Sequence, residues 1–267
     1  MPCTKPLFFI LCWIYSYARV YPIQNKTKGE KMSNYKLLGV GNNAKTIKGD
    51  GSEYLTAIMY LSPADKVEGV NLCPMAVLAG CKEPCLDEAG RGQMNVVQRG
   101  RMRKTVLWRD FPEVFLAQLH DDLRKFQTYC LKRGITPCVR LNGTSDIRWE
   151  KHIDMEKDYP DIQFYDYTKD VKRVRKKLPK NYHLTLSYSR ATIRYSAMVL
   201  DEMRDRKTNN MAVVFRHKHQ IPKKFMGFDV VDGDKDDLRF LDPKGVVVAL
   251  YAKGKARYDN TGFVIDA

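Results

Sequence analysis

CVRLNG (138–143), IQFYDY (162–167), YHLTLSYS (182–189) and MAVVFRH (211–217) are short apolar runs rich in β-branched and aromatic residues. Helix-forming stretches lie between them, at 149–157, 169–178 and 192–206. Strands that alternate with helices predict a parallel sheet with right-handed crossovers. YLTAIMY (54–60) adds a strand before this series, and FDVVDGD (228–234) and VVVALY (246–251) add two after it. Such a series suits an incomplete βα barrel or a doubly wound sheet. The expectation taken forward is an α/β fold with a parallel-stranded, incomplete (βα) barrel.

Upstream, FPEVFLAQLHDDLRKFQTYCLKRG (111–134) predicts a long amphipathic helix, with Pro112 in its first turn and Gly134 after its end. Val114, Phe115, Leu119, Leu123, Phe126 and Cys130 recur at helical spacing as its apolar face. Polar groups gather where the strands end: Asn142 to Asp146, Asp166 to Lys169, Ser187 to Arg190, Arg216 to His219, then Asp232 and Asp234. In βα folds the active site lies at strand carboxyl ends, although loops are polar in any protein.

The stretch most suggestive of chemistry is NLCPMAVLAGCKEPCL (71–86), with Cys73, Cys81 and Cys85 at gaps of seven and three. Clustered soft thiolates hold a metal or iron–sulfur centre, and three ligands in place of four leave a coordination position open. The alternatives are core cysteines, a disulfide in an exported chain, or a structural zinc completed by Cys130 or Cys138. Those last two fall on a helix and a strand, which favours the core.

The 267 residues bear a net charge of +15. Such an excess favours a polyanionic partner, nucleic acid first and an anionic membrane surface second. Two basic runs stand out, Arg91, Arg99, Arg101, Arg103, Lys104 and Arg109, then Lys172, Arg173, Arg175, Lys176, Lys177 and Lys180. A single charge run is usually a solvated face; two runs, with Trp108 and Tyr165 near them, strengthen the nucleic-acid expectation.

Residues 1–31 have an apolar run, Leu7 to Tyr15, that resembles a signal-peptide core but is short for a membrane span. Codons for Lys28-Gly29-Glu30-Lys31 can read as a purine-rich ribosome-binding site before Met32. The expectation is therefore a translated leader at 1–31 and a single α/β domain at 32–267, in a reducing cytoplasm and without membrane association. Removing the leader leaves 41 basic and 30 acidic residues, +11. His217 and His219 read as surface or structural histidines, and DVVDGDKDD (229–237) as a solvent-facing acidic turn.

NLCPMAVLAGCKEPCLDEAGRG (71–92), VQRGRMRKTVLW (97–108), VRLNGTSDIRWE (139–150) and IQFYDYTK (162–169) together resemble the gene-product-88 family of bacteriophage proteins of unknown role. That resemblance implies a phage protein working in the cytoplasm of the infected host. A strand, a three-cysteine loop and βα units also look like the radical S-adenosylmethionine superfamily. This second resemblance implies a four-iron, four-sulfur cluster on Cys73, Cys81 and Cys85, with S-adenosylmethionine on its open iron. It places Asn142, Gly143, Thr144, Ser145 and Asp146 near the amino group of that cofactor, and implies radical chemistry on nucleic acid or a nucleotide. The chain departs from the superfamily pattern, whose cysteine gaps are three and two and whose last cysteine commonly follows an aromatic residue; here Pro84 precedes Cys85. The competing expectation is a non-enzymatic nucleic-acid-binding protein with structural zinc or no metal.

Overall fold

The computed structural model describes residues 36–40 and 53–266. Residues 1–31, expected to be a translated leader, lie outside the described residues. Strands β2 (Tyr54–Met59), β3 (Thr136–Arg140), β4 (Gln163–Thr168), β5 (Tyr182–Ser187) and β6 (Met211–Phe215) lie side by side in chain order, each parallel to the next. Beyond β6 come β9 (Val247–Tyr251) and β8 (Phe228–Asp232), still parallel. Short antiparallel strands border the sheet, β1 (Leu38–Val40) on β2 and β7 (Lys224–Phe225) on β8. The order from β2 to β6 contains no reversal, and the sheet ends at β1 and β7.

Only two residue pairs join β5 to β6, Leu186 with Met211 and Ser187 with Ala212. Farther along β6 a tenth strand, β10 (Val264–Ile265), pairs in parallel with Val214 and Phe215. The last residues of the chain are thereby brought beside the carboxyl ends of the central strands.

Strand residues alternate between two faces. Met59, Val139, Phe164, Leu184 and Leu186 join a large core. Over it lie α1 (Asn95–Asp110), α2 (Pro112–Leu131) and α5 (Ile193–Asp205), the last capped by Thr192, whose Oγ1 accepts from Tyr195 N at 3.2 Å. In α2, Phe115, Leu119, Leu123, Phe126 and Cys130 face the core as their spacing predicts, whereas Val114 is 36% exposed. On the opposite face Cys138 and Tyr165 pack with Leu238, Tyr54 and Phe240. Cys130 and Cys138 thus serve separate cores.

The structure departs from the sequence reading in three places. The basic segment 90–108 contains most of α1. The expected helix at 169–178 shrinks to one turn, α4 (Val171–Val174), and the helical stretch at 149–157 to a 3-10 turn and the one-turn α3 (Met155–Asp158). The acidic turn after β8 folds inward: Asp237 is fully buried against Arg140, 2.6 Å away, and Asp234 pairs with Lys253 at 2.8 Å. Arg140 supplies an interior cation that the sequence does not announce. Among the described residues, no helix is long and apolar enough to cross a membrane.

Candidate metal centre

The chain between β2 and α1 has little regular structure, so its own short-range bonds shape it. Leu72 N donates to Ala64 O, Ala76 N to Cys73 O and Cys81 N to Ala76 O, each at 3.0 Å. Asn71 Oδ1 accepts from Cys73 N at 2.9 Å and sets the turn into the first cysteine. Leu61, Leu72, Ala76 and Ala79 insert into the large core, which fixes this loop as firmly as a helix would be.

Side chains at the carboxyl ends of the strands hold the loop's carbonyls. Thr144, after β3, donates to Leu61 O at 2.5 Å. Ser189, after β5, donates to Ala79 O at 2.7 Å, and Thr192 at the start of α5 to Leu78 O at 3.1 Å. Thr261, just before β10, donates to Gly80 O at 2.7 Å. Gly80 has φ +62°, and a Cβ there would fall 2.4 Å from the Ala191 Cβ, so only glycine allows this approach.

Cys81 is buried, and Cys73 and Cys85 are half-buried. Burial pushes the Cys73 thiol up to about 11 and the Cys85 thiol up to about 12. Burial also raises Cys81, although Lys169 pulls against it by charge and by a hydrogen bond. Cys73 feels the charge of Cys81, and Cys85 feels that of both, so the three lie within electrostatic reach. Lys169 is the cation on which all three act. Burial lowers its affinity for a proton, but Cys81, Asp146, Cys73 and Cys85 together outweigh that and leave it raised. It lies just beyond the end of β4, where its backbone N donates to Asp146 Oδ2 at 2.8 Å. Among the described residues, no group of three or more His, Cys, Asp or Glu side chains is arranged to hold a metal ion. The donor chemistry nevertheless suits a thiophilic centre: three thiols with depressed acidity need a metal to become thiolates, and a fixed cation offsets part of the resulting charge.

The five residues expected near a cofactor form the turn after β3. Cys73 Sγ donates weakly to Thr144 O at 3.8 Å, which places this turn against the first cysteine. Asn142 is buried and saturated. Its Oδ1 accepts from Ser145 Oγ and Ile147 N at 2.9 Å and from Trp149 Nε1 at 3.2 Å, while its Nδ2 donates to Ile147 O. Gly143 has a steric duty, since a Cβ there would come 2.7 Å from Met59 O and from the Tyr60 ring. Asp146 accepts from Thr168 Oγ1, Lys169 N and Arg173 Nη1 at 2.7–2.8 Å. The turn is held by its own neighbours and faces the cysteines through Thr144 and Asp146.

The residues expected at a nucleic-acid interface do not form one surface. Arg91, Arg99, Arg103 and Lys176 are exposed. Arg101 is buried and donates to Asp87 O, and Lys104 Nζ donates to Leu37 O at 2.7 Å. Arg173 is interior, pairing with Asp146 at 2.7 Å and Glu150 at 2.8 Å, and Arg175 pairs with Glu202 at 2.6 Å. His217 and His219 are exposed and stacked on each other, with ring centroids 5.4 Å apart.

A family model described as gene product 88 matches residues 31–267. The chain belongs to the gene product 88 family. No curated protein and no solved structure matches it. For this gene product 88 chain, the cysteine loop, the turn after β3 and Lys169 all fall within the matched region. Lys169 is the site residue that spacing does not reveal. Its only sequence signal is its place just beyond a strand.

Proposed function

We propose that this gene product 88 protein is a phage enzyme of the host cytoplasm, with an iron–sulfur centre held by Cys73, Cys81 and Cys85. The observation that supports this most directly is that three thiols from one loop all act on the charge of Lys169, just beyond the end of β4. The loop follows the first parallel strand, and β2 to β6 run in chain order without reversal, as in an incomplete βα barrel. Cys73, Cys81 and Cys85 would hold a four-iron cluster, and S-adenosylmethionine would be its co-substrate. When bound, such a cluster supplies an electron for reductive cleavage of that cofactor. Thr144 and Asp146 border the site from the turn after β3, Lys169 balances thiolate charge, and the packed loop keeps water from the thiols. The substrate is nucleic acid or a nucleotide, in keeping with the net charge of +15 and the exposed Arg91, Arg99 and Arg103.

Anaerobic purification followed by iron, sulfide and zinc analysis tests the reading. About four irons per chain with matching sulfide are expected, and Cys73→Ala, Cys81→Ala and Cys85→Ala should each lose them. Full iron in any of the three would count against the assignment. About one zinc per chain without iron would mark a structural site on a nucleic-acid-binding protein.

A further inference from the structure

The outer face of α2 presents a second basic surface, separate from the runs read in the sequence. Arg124, Lys125, Thr128, Tyr129, Lys132 and Arg133 line a shallow groove of about 440 Å³. Four of the six are cations and none is acidic. Tyr129 is 47% exposed, and the Arg133 guanidinium lies over its ring, 3.7 Å from the centroid. Arg124 also lines an adjoining groove of about 510 Å³ with Ala117, His120, Asp158 and Tyr159. His120 is held there by the Tyr159 hydroxyl, 2.5 Å from its Nδ1. From Ala117 to Leu131 the two grooves follow one helix for about 21 Å, and Lys132 and Arg133 continue them past its end.

Cations at a helix carboxyl terminus are favoured by the helix dipole, which accounts for Lys132 and Arg133. It does not account for Arg124 and Lys125, more than a turn from the end, or for an exposed tyrosine beneath a guanidinium. Asp121 partly neutralises Lys125, 2.6 Å away, in an exposed pair of little energetic consequence. The inner face of α2 is locked into the core through Phe115, Leu119, Leu123 and Phe126, so the outer side chains stand on a rigid support.

We infer that this face is a track for single-stranded nucleic acid. Arg124, Lys125, Lys132 and Arg133 meet successive phosphates, and a base stacks at Tyr129 and Arg133. Clustered cations with an interleaved aromatic are what a single strand requires: charge along its backbone and a flat surface for a base. The inference rests on the proposed nucleic-acid partner and is independent of the metal centre. α2 ends where β3 begins, so the Lys132–Arg133 end of the track lies by the amino ends of the strands, away from the cysteines. It is therefore a holding site and not part of the reacting centre.

The test is fluorescence anisotropy of the metal-free full chain with a labelled oligothymidylate of about 12 nucleotides, titrated across a range of salt. Lys132→Glu with Arg133→Glu should weaken binding at least tenfold and lower the salt slope by about 1.4, two phosphate contacts' worth. Tyr129→Ala should weaken binding about 5- to 100-fold with the slope unchanged, as loss of one stacked base requires. Unchanged binding in these variants, with loss in Arg99→Glu/Arg103→Glu, would overturn the track and leave the nucleic-acid reading standing. Duplex binding equal to single-strand binding and indifferent to Tyr129→Ala would reduce the face to plain charge and overturn it as well. No oligonucleotide binding by the parent chain, or binding only to phosphatidylserine vesicles, would overturn it while the metal analysis stands on its own.

Discussion

Two buried arginine clusters occupy opposite faces of the same sheet, and they are built differently. Arg173 bonds Asp146, Glu150 and the Tyr182 hydroxyl, and Tyr182 passes a hydrogen bond on to Asp166 at 3.0 Å. Every partner in that chain is satisfied by another, and the chain ends at the turn beside the cysteines. Across the sheet, Arg140 pairs with Asp237, while Arg239 meets Asp236 and Asp242. There, Arg140 Nε, the Tyr167 hydroxyl, Asp237 Oδ1, Arg239 Nε and Nη1, and Asp242 Oδ2 make no hydrogen bond among the described residues. The Arg239–Asp242 approach of 3.3 Å is an ion pair without hydrogen-bond geometry. Burial works against the Arg140 cation, and Asp237 foremost restores it and leaves it raised. The difference teaches that ion pairing and hydrogen-bond satisfaction are separate requirements. The first cluster meets both and the second meets mainly the first.

The largest expected effect is that of Arg173→Met. It strands Asp146 and Glu150 and should cost about 3–5 kcal/mol in urea denaturation. A smaller loss would mean that the first cluster is less of a keystone than its bonding implies. Asp237→Leu should cost about 3 kcal/mol, because it leaves Arg140 buried without its counter-charge. The double replacement Arg140→Met/Asp237→Leu should recover most of that loss, and additivity in the double-mutant cycle would refute the coupling. Tyr182→Phe and Tyr167→Phe sharpen the contrast directly. The first removes a hydroxyl bonded to both Arg173 and Asp166 and should cost about 1–3 kcal/mol; the second removes an unbonded hydroxyl and should change stability by less than about 0.5 kcal/mol. Equal effects would erase the distinction between the clusters.

A further expected effect is one of pH. Burial lifts the Asp242 carboxyl to about 6, against the pull of Arg239. The unfolded carboxyl titrates near 3.9, so the folded state binds this proton more tightly. Stability from this group is greatest below about pH 4, falls as pH rises to about 6 and is flat above. Asp166, which burial also lifts to about 6, acts in the same sense. Asp242→Asn should therefore reduce the fall without abolishing it, as read from denaturation midpoints across that range.

Much of the sheet was legible because β2 to β6 are apolar runs bounded by turn residues, and because the helix at 111–134 repeats its apolar residues every turn. α1 was not, since the residues it buries are Arg101 and Thr105 and it has no apolar stripe to read. The basic stretch at 169–178 predicted a longer helix, but Arg173 turns inward to Asp146 and the chain reaches Pro179 soon after. Charge is visible in sequence and its direction is not; Arg101 and Arg99 differ by two positions and face opposite ways. The cysteine spacing marked the loop, while Lys169 joins it only through the register of a sheet formed 77 or more residues after the last strand before it, β2. The cations of α2 follow a helical period of their own. Reading charge with the periodicity used for its apolar face would have found them.

Three of the four hydroxyls that grip the cysteine loop come from Ser189, Thr192 and Thr261, which lie 110, 114 and 181 residues beyond the carbonyls they hold. A ribosome adds about 5–20 residues per second, so the loop emerges roughly 10–40 seconds before its last clasp is made. During that interval the thiols have no finished shelter, and the nascent chain is open to oxidation or to premature capture of a metal. The order of synthesis therefore completes the shelter of the thiols only once Thr261 has been added.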